Sequence, residues 1–199
     1  MDSKSNRSTT YEVCIDSKET WNTVRLSRPK VDWFHSVWSR VAIPKHAIPT
    51  WLFVLNRNPT LDRVTSWGLD VEPICLLCGA TEESRNHLFF ECPYSKSIWE
   101  ALTQKLLLPT AVLFAWSSVL ARLSSASTTS IQHLALIQGW QTTIYEIWKE
   151  QNRRYHEGLS LPFSAVFQKI LKVVYLKSTA LRNRGSKLGE PLLLCWSNR

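Results

Sequence analysis

The sequence predicts a mainly α-helical chain, a small helical domain built around a Cys3His knuckle and followed by a C-terminal helical hairpin. Three observations predict it. Apolar residues recur at i, i+3/i+4 and i+7 along most of the chain, the period of helices with one buried face. Three of the five cysteines and one histidine fall into the pattern C-x2-C-x8-H-x4-C, at Cys75, Cys78, His87 and Cys92. Two long apolar-periodic stretches, divided by Gly158-Leu159-Ser160-Leu161-Pro162, occupy the C-terminal third.

Composition sets the frame. At 199 residues, with 44% hydrophobic and 20% charged residues, the chain is long enough for a true core and too apolar for disorder. The net charge of +8 favours polyanionic partners. No apolar run approaches the length of a membrane span, since Leu106-Leu107-Leu108 ends at Pro109. The N-terminus lacks the basic-then-apolar run of a secretory signal. An odd cysteine count in such a chain reads as a reducing, intracellular setting, nuclear or cytoplasmic and not secreted, where clustered thiols mean metal before disulfide. Cys14 and Cys195 lie far from the cluster and read as spare thiols.

Taken in order, residues 1–27 form an N-terminal extension, expected to be partly disordered. Within it residues 1–10 are polar, Tyr11 to Asp16 alternate like a short strand, and Trp21 to Arg28 read as irregular. Residues 28–108 form the knuckle domain. Phe34, Trp38 and Val41 mark a helix that Pro44 ends or restarts, and Ile48, Trp51, Leu52 and Leu55 give a second apolar stripe. Thr60 is placed to cap a short helix carrying Leu61 and Val64, with Gly68 at its end. Thr81-Glu82-Glu83 reads as the start of the helix bearing His87, and Pro93 as the first residue of a helix reaching Leu108 with Ile98, Leu102 and Leu106 on one face. Residues 109–130 hold a helix marked by Leu113, Trp116, Leu120 and Leu123, then a flexible hydroxyl-rich linker from Ser124 to Ser130. Residues 131–184 are the hairpin: Leu134, Ile137, Trp140, Ile144, Ile147 and Trp148 on one helix, Phe163, Phe167, Ile170, Val174 and Leu181 on the other. Residues 185–199 read as a polar tail.

The knuckle carries the chemistry. Three thiols and one imidazole complete a tetrahedron around one Zn²⁺ and leave no open position, which is the arrangement of a structural site. Gly79 lets the Cys75–Cys78 loop turn back through positive φ. Cys92 precedes a helix whose positive end favours a thiolate. The chance clustering of buried cysteines is the plain alternative, and the ligand spacing argues against it.

Around these ligands the residues from about Trp33 to Trp99 resemble the zinc-binding domain that follows the polymerase in plant non-LTR (LINE-type) retrotransposon reverse transcriptases. The matching residues are Val31-Asp32-Trp33, Val37-Trp38, Ile43-Pro44-Lys45 and Trp51, then the run Asn56-Arg57-Asn58-Pro59-Thr60-Leu61-Asp62-Arg63 and Trp67-Gly68. They continue through Cys75-x-x-Cys78, Glu83-Ser84, His87-Leu88-Phe89-Phe90-x-Cys92 and Ile98-Trp99. Pro59 departs from the family, which tends to have an apolar residue there. The resemblance implies a zinc module detached from its polymerase that helps hold RNA or DNA, with a reverse transcriptase as a possible partner in trans.

The charge pattern points the same way. Residues 145–190 carry nine Lys/Arg against four acids, a net +5. Lys149, Arg153 and Arg154 lie about one helical turn apart, Lys169 and Lys172 follow on the next helix, and Arg57 and Arg63 lie near the knuckle. These seven are the candidate nucleic-acid contacts, with Lys45 beside them. The competing reading is a solvated face in which Glu146 and Glu150 pair with Arg153 and Arg154. Catalysis has no footing. Two-metal polymerase chemistry needs paired carboxylates, the aspartates stand singly, and no phosphate loop or nucleophile motif is present. The sequence therefore reads as a non-catalytic zinc module that binds nucleic acid with little sequence preference and uses no small-molecule substrate or membrane. The alternative is a protein-interaction or purely structural remnant of a retroelement polyprotein.

Overall fold

The computed structural model describes residues 17–25, 29–108, 115–125 and 130–197. The chain divides into two compact units, residues 1–31 and residues 32–199. In the first, α1 (Ser17–Val24) is helical with no buried residue, where an irregular segment was expected from Trp21 onward. The strand expected from Tyr11 lies outside the described residues.

The second unit is assembled around one helix. α7 (Ile131–Glu157) is apolar enough to be covered on nearly every side, and every residue from His133 to Ile144 is buried. Its buried polar side chains are used as struts. Gln141 donates to the carbonyls of Ser36 and Val37 at 2.7 and 2.8 Å, and Gln138 to that of Val41. These bonds hold α2 (Phe34–Val37) and the turn after it against α7. The helix expected to carry Phe34, Trp38 and Val41 on one face therefore stops at Val37. Val37 and Val41 are buried, but Trp38 is 41% exposed.

Pro44 restarts the chain as α3 (Pro44–Val54), with proline in the first turn where no N–H is needed. The stripe of Ile48, Trp51, Leu52 and Leu55 is not its buried face. His46, Ala47, Thr50 and Phe53 are buried, and Ile48 is 53% exposed. The reason is polar satisfaction. His46 stacks on Tyr145 at 4.2 Å and its Nδ1 meets the Thr142 hydroxyl, while Thr50 bonds back to the His46 carbonyl. Burial and the Lys45 and Lys149 charges hold the His46 imidazole down to about 4, so it is neutral.

α4 (Leu61–Ser66) follows Thr60 as expected, and Gly68 closes it at φ +83°. Its cap is not Thr60, whose hydroxyl turns to Asp62. Glu83 accepts the Leu61 N–H on its carboxylate and the Asp62 N–H on its carbonyl. α5 (Pro93–Lys105) starts at proline as expected and buries Ile98, Trp99 and Leu102. α6 (Trp116–Ser125) buries Trp116, Val119 and Leu123; Leu113 and the Pro109-Thr110 break lie outside the described residues. The hydroxyl run begins in one helix and ends as the cap of the next. Ser124 and Ser125 finish α6, and the Ser130 hydroxyl caps α7 by accepting the His133 N–H.

Gly158 in the left-handed region ends α7, and α8 (Phe163–Asn183) returns along it, giving the expected hairpin. The polar tail is a correction. α9 (Gly189–Trp196) is a helix that buries Leu192, Leu193 and Trp196, and Trp196 donates to Gln138 at 3.0 Å. Its start lies so close to α8 that a Cβ at Gly189 would meet the Arg182 backbone at 2.2 Å. Among the described residues the architecture is helical, with no strand beyond the single antiparallel bridge between Ile74 and Glu82.

Candidate metal centre

The knuckle is a short turn locked by its backbone. The N–H of Gly79 returns to the Cys75 carbonyl at 2.8 Å, and Gly79 sits at φ +67°, where a Cβ would be strained. The Cys75 N–H bonds the Thr81 carbonyl and the Glu83 N–H bonds that of Pro73, so the chain doubles back beside the ligands. Thr81 therefore starts no helix. Ser84 does so, its hydroxyl accepting the His87 N–H at 3.1 Å.

From His87 to Glu91 the backbone widens to a π-helical turn, with the Cys92 N–H bonding the His87 carbonyl five residues back. This wider turn keeps Leu88, Phe89 and Phe90 all buried while His87 and Cys92 face the knuckle. Phe89 packs edge-on to Phe53 at 4.6 Å, and Phe90 stacks on Trp99 at 5.5 Å. The apolar run between the ligands is thus the local core, and it fixes where the ligands stand.

The ligand atoms of Cys75, Cys78, His87 and Cys92 all lie within 4.8 Å of one another, with Cys78 Sγ 3.3 Å from His87 Nε2. A tetrahedral zinc with bonds of about 2.0–2.3 Å separates its ligand atoms by about 3.5–3.8 Å, so the four need only small movements to close on one ion. Their surroundings suit thiolates. The N–H groups of Leu77 and Cys78 point at the Cys75 sulfur, and those of Tyr94 and Ser95, in the first turn of α5, at the Cys92 sulfur. The Cys75 thiol donates to Cys92, which with those N–H groups holds the Cys92 thiol down to about 5. The same bond, with burial, pushes Cys75 up. The donor set fits one structural zinc, which would be held by all four side chains.

A second layer braces the knuckle from α7. The Arg154 guanidinium donates to the carbonyls of Leu76 and Leu77 at 2.9 and 3.0 Å, to Leu161 at 3.2 Å and to Glu150 at 2.9 Å, and lies over the Tyr94 ring. The Tyr94 hydroxyl reaches the Leu161 carbonyl at 2.8 Å. Glu150, buried, also pairs with Arg153 and accepts the Leu161 N–H. Burial raises its carboxyl, but these donors outweigh it and hold it below the usual range. Sequence reading missed this bracing, because it links residues more than seventy positions apart and no local spacing announces it.

The seven candidate nucleic-acid contacts fall into different surroundings. Arg153 and Arg154 spend donors on Glu150, but that carboxylate is buried and not on a solvated face. Lys149, Lys169 and Lys45 surround the buried Glu146, whose carboxyl burial raises against their pull. Lys172 and Arg57 are exposed. Arg63 lies over the Trp67 ring at 5.7 Å.

Fold and site together define a mainly helical module with a closed Cys3His metal centre. Residues 16–99 match the family model described as zinc-binding in reverse transcriptase, and that segment is similar to this family. No curated protein and no solved structure matches the chain.

Proposed function

We propose that this protein is a non-catalytic structural-zinc module, derived from a non-LTR retrotransposon polyprotein, that binds RNA or DNA with little sequence preference. The observation that carries the reading is the charge of α8. Phe163–Asn183 holds four cations (Lys169, Lys172, Lys177 and Arg182) and no Asp or Glu. Glu150, the carboxylate that pairs both α7 arginines, has no counterpart within this helix. An acid-free basic helix suits phosphate contact, which supplies affinity without reading sequence. The metal holds the scaffold, and none of its four ligands is available for proton transfer once bound.

Titration of the zinc-loaded protein against a labelled polynucleotide at two salt concentrations tests this. Affinity falls steeply with salt, at a slope of about −0.7 to −0.9 per phosphate contact, and Lys169→Glu/Lys172→Glu weakens binding and flattens the slope. Absence of salt-sensitive binding refutes the reading. A second reading, a protein-interaction module, is favoured by the outward face of α3, where the exposed Ile48 and Trp38 adjoin Trp51. A partner held there would respond weakly to salt.

A further inference from the structure

The outward face of α8 interleaves its cations with side chains that a solvated helix has no need to expose. Val166, Ile170, Val174 and Ser178 form the buried row at i+4 spacing. Around the rest of the helix stand Lys172, Tyr175, Leu176 and Arg182, with Lys169 at the edge that faces Glu146 of α7. Tyr175 is 45% exposed and Leu176 55% exposed. Tyr175 follows Lys172 by one turn and precedes Arg182 by two, so an aromatic ring is flanked by positive charge along the helix. The pair that Arg182 makes with Glu190, 3.4 Å long and on the surface, is of the kind that exchanges readily for a phosphate.

We infer that this face binds single-stranded nucleic acid, with the Tyr175 ring stacked on an unpaired base and Lys169, Lys172 and Arg182 on flanking phosphates. The inference rests on the nucleic-acid reading above and adds to it the strand state and the surface. It also lies outside the segment that matches the family model. The physical ground is access. In a duplex the base faces are stacked on one another and only their edges line the grooves, so a ring on a helix surface meets phosphates and sugar but no π-face. An unpaired base offers that face whatever its identity, which keeps the contact independent of sequence. From Lys169 to Arg182 the row spans about 20 Å, room for a few nucleotides. A membrane surface fits the same charge less well. Gln168, Lys172 and Thr179 make the centre of the face polar, and Leu176 alone supplies little apolar area to insert.

The test uses the full zinc-loaded chain and fluorescein-labelled oligo(U) and oligo(dT), beside a duplex of equal charge. The single strands bind more tightly than the duplex. Tyr175→Ala weakens single-strand binding about tenfold, leaves duplex binding unchanged, and Tyr175→Phe restores it. Equal affinity for single strand and duplex, or indifference to Tyr175→Ala, overturns the inference while leaving charge-driven binding intact. Failure to bind any polynucleotide overturns both readings. Tighter binding to phosphatidylserine vesicles than to the oligonucleotides overturns the single-strand assignment in favour of a membrane.

Discussion

Glu83 shows how one side chain can join the knuckle to the rest of the chain at a measurable cost. It is fully buried, caps α4 through the Leu61 N–H, and receives Gln151 of α7 at 3.3 Å, while Oε2 has no partner among the described residues. Burial, only partly offset by those two donors, pushes its carboxyl up from 4.5 to about 7. The fold therefore prefers the protonated form. Below about pH 4 both folded and unfolded chains hold the proton and there is no penalty. Between there and about pH 7 the unfolded chain releases it first, so stability falls as pH rises, and above about pH 7 a cost of about 3 kcal/mol is complete. Glu83→Gln keeps the acceptor for Leu61 and cannot ionise. Paired urea denaturations should show the variant gaining on the natural protein as pH rises from about 5 to 7, with a flat difference above. A difference constant across that range contradicts the assignment.

At the scale of elements, α7 organises the second unit through polar side chains as much as apolar ones. Arg154 is its strongest link to the knuckle, with two carbonyls of the Cys75–Cys78 loop on one nitrogen. Arg154→Ala leaves Glu150 buried beside one arginine and the knuckle carbonyls unpaired, a loss of about 2–4 kcal/mol. It should also quicken zinc release to a chelator, and Arg154→Lys should not rescue it, because an ammonium cannot present the planar fork. Nucleic-acid affinity should keep its salt slope in either variant, since those donors are already committed. A lowered slope with unchanged zinc retention would make Arg154 a phosphate contact instead.

The same elements mark what was legible in the sequence. The ligands were, because four donors at metal spacing within one short stretch are a local pattern. The hairpin was, because Gly158 and Pro162 punctuate two long periodic runs. The buried face of α3 was not, because His46 and Thr50 fill it and apolar periodicity passes over a polar residue whose partners are supplied by another helix. The helix cap at Glu83 and the brace at Arg154 were hidden for a related reason: each is a bond between distant positions. α9 was masked by Gly189 and Pro191, which read as a tail yet serve a close approach to α8 and a first helical turn.

For the whole molecule, zinc closes a knuckle that sits on a substantial core and is not itself the core. Structural zinc contributes about 10–16 kcal/mol of apparent binding energy in isolated finger peptides, which unfold without it. Here Phe89, Phe90, Trp99 and Trp116 pack beneath the ligands, and α7, α8 and α9 bury their own apolar faces. Cys75→Ser or His87→Ala should therefore loosen residues 60–105 and lower thermal stability while most helical circular dichroism persists. The measurement that tests the central claim most directly is elemental analysis of the purified, reduced protein and its Cys78→Ser variant. One zinc per chain, lost in the variant, is the expected result. No zinc in metal-replete protein, or zinc retained at full occupancy by Cys78→Ser, would contradict a Cys3His centre.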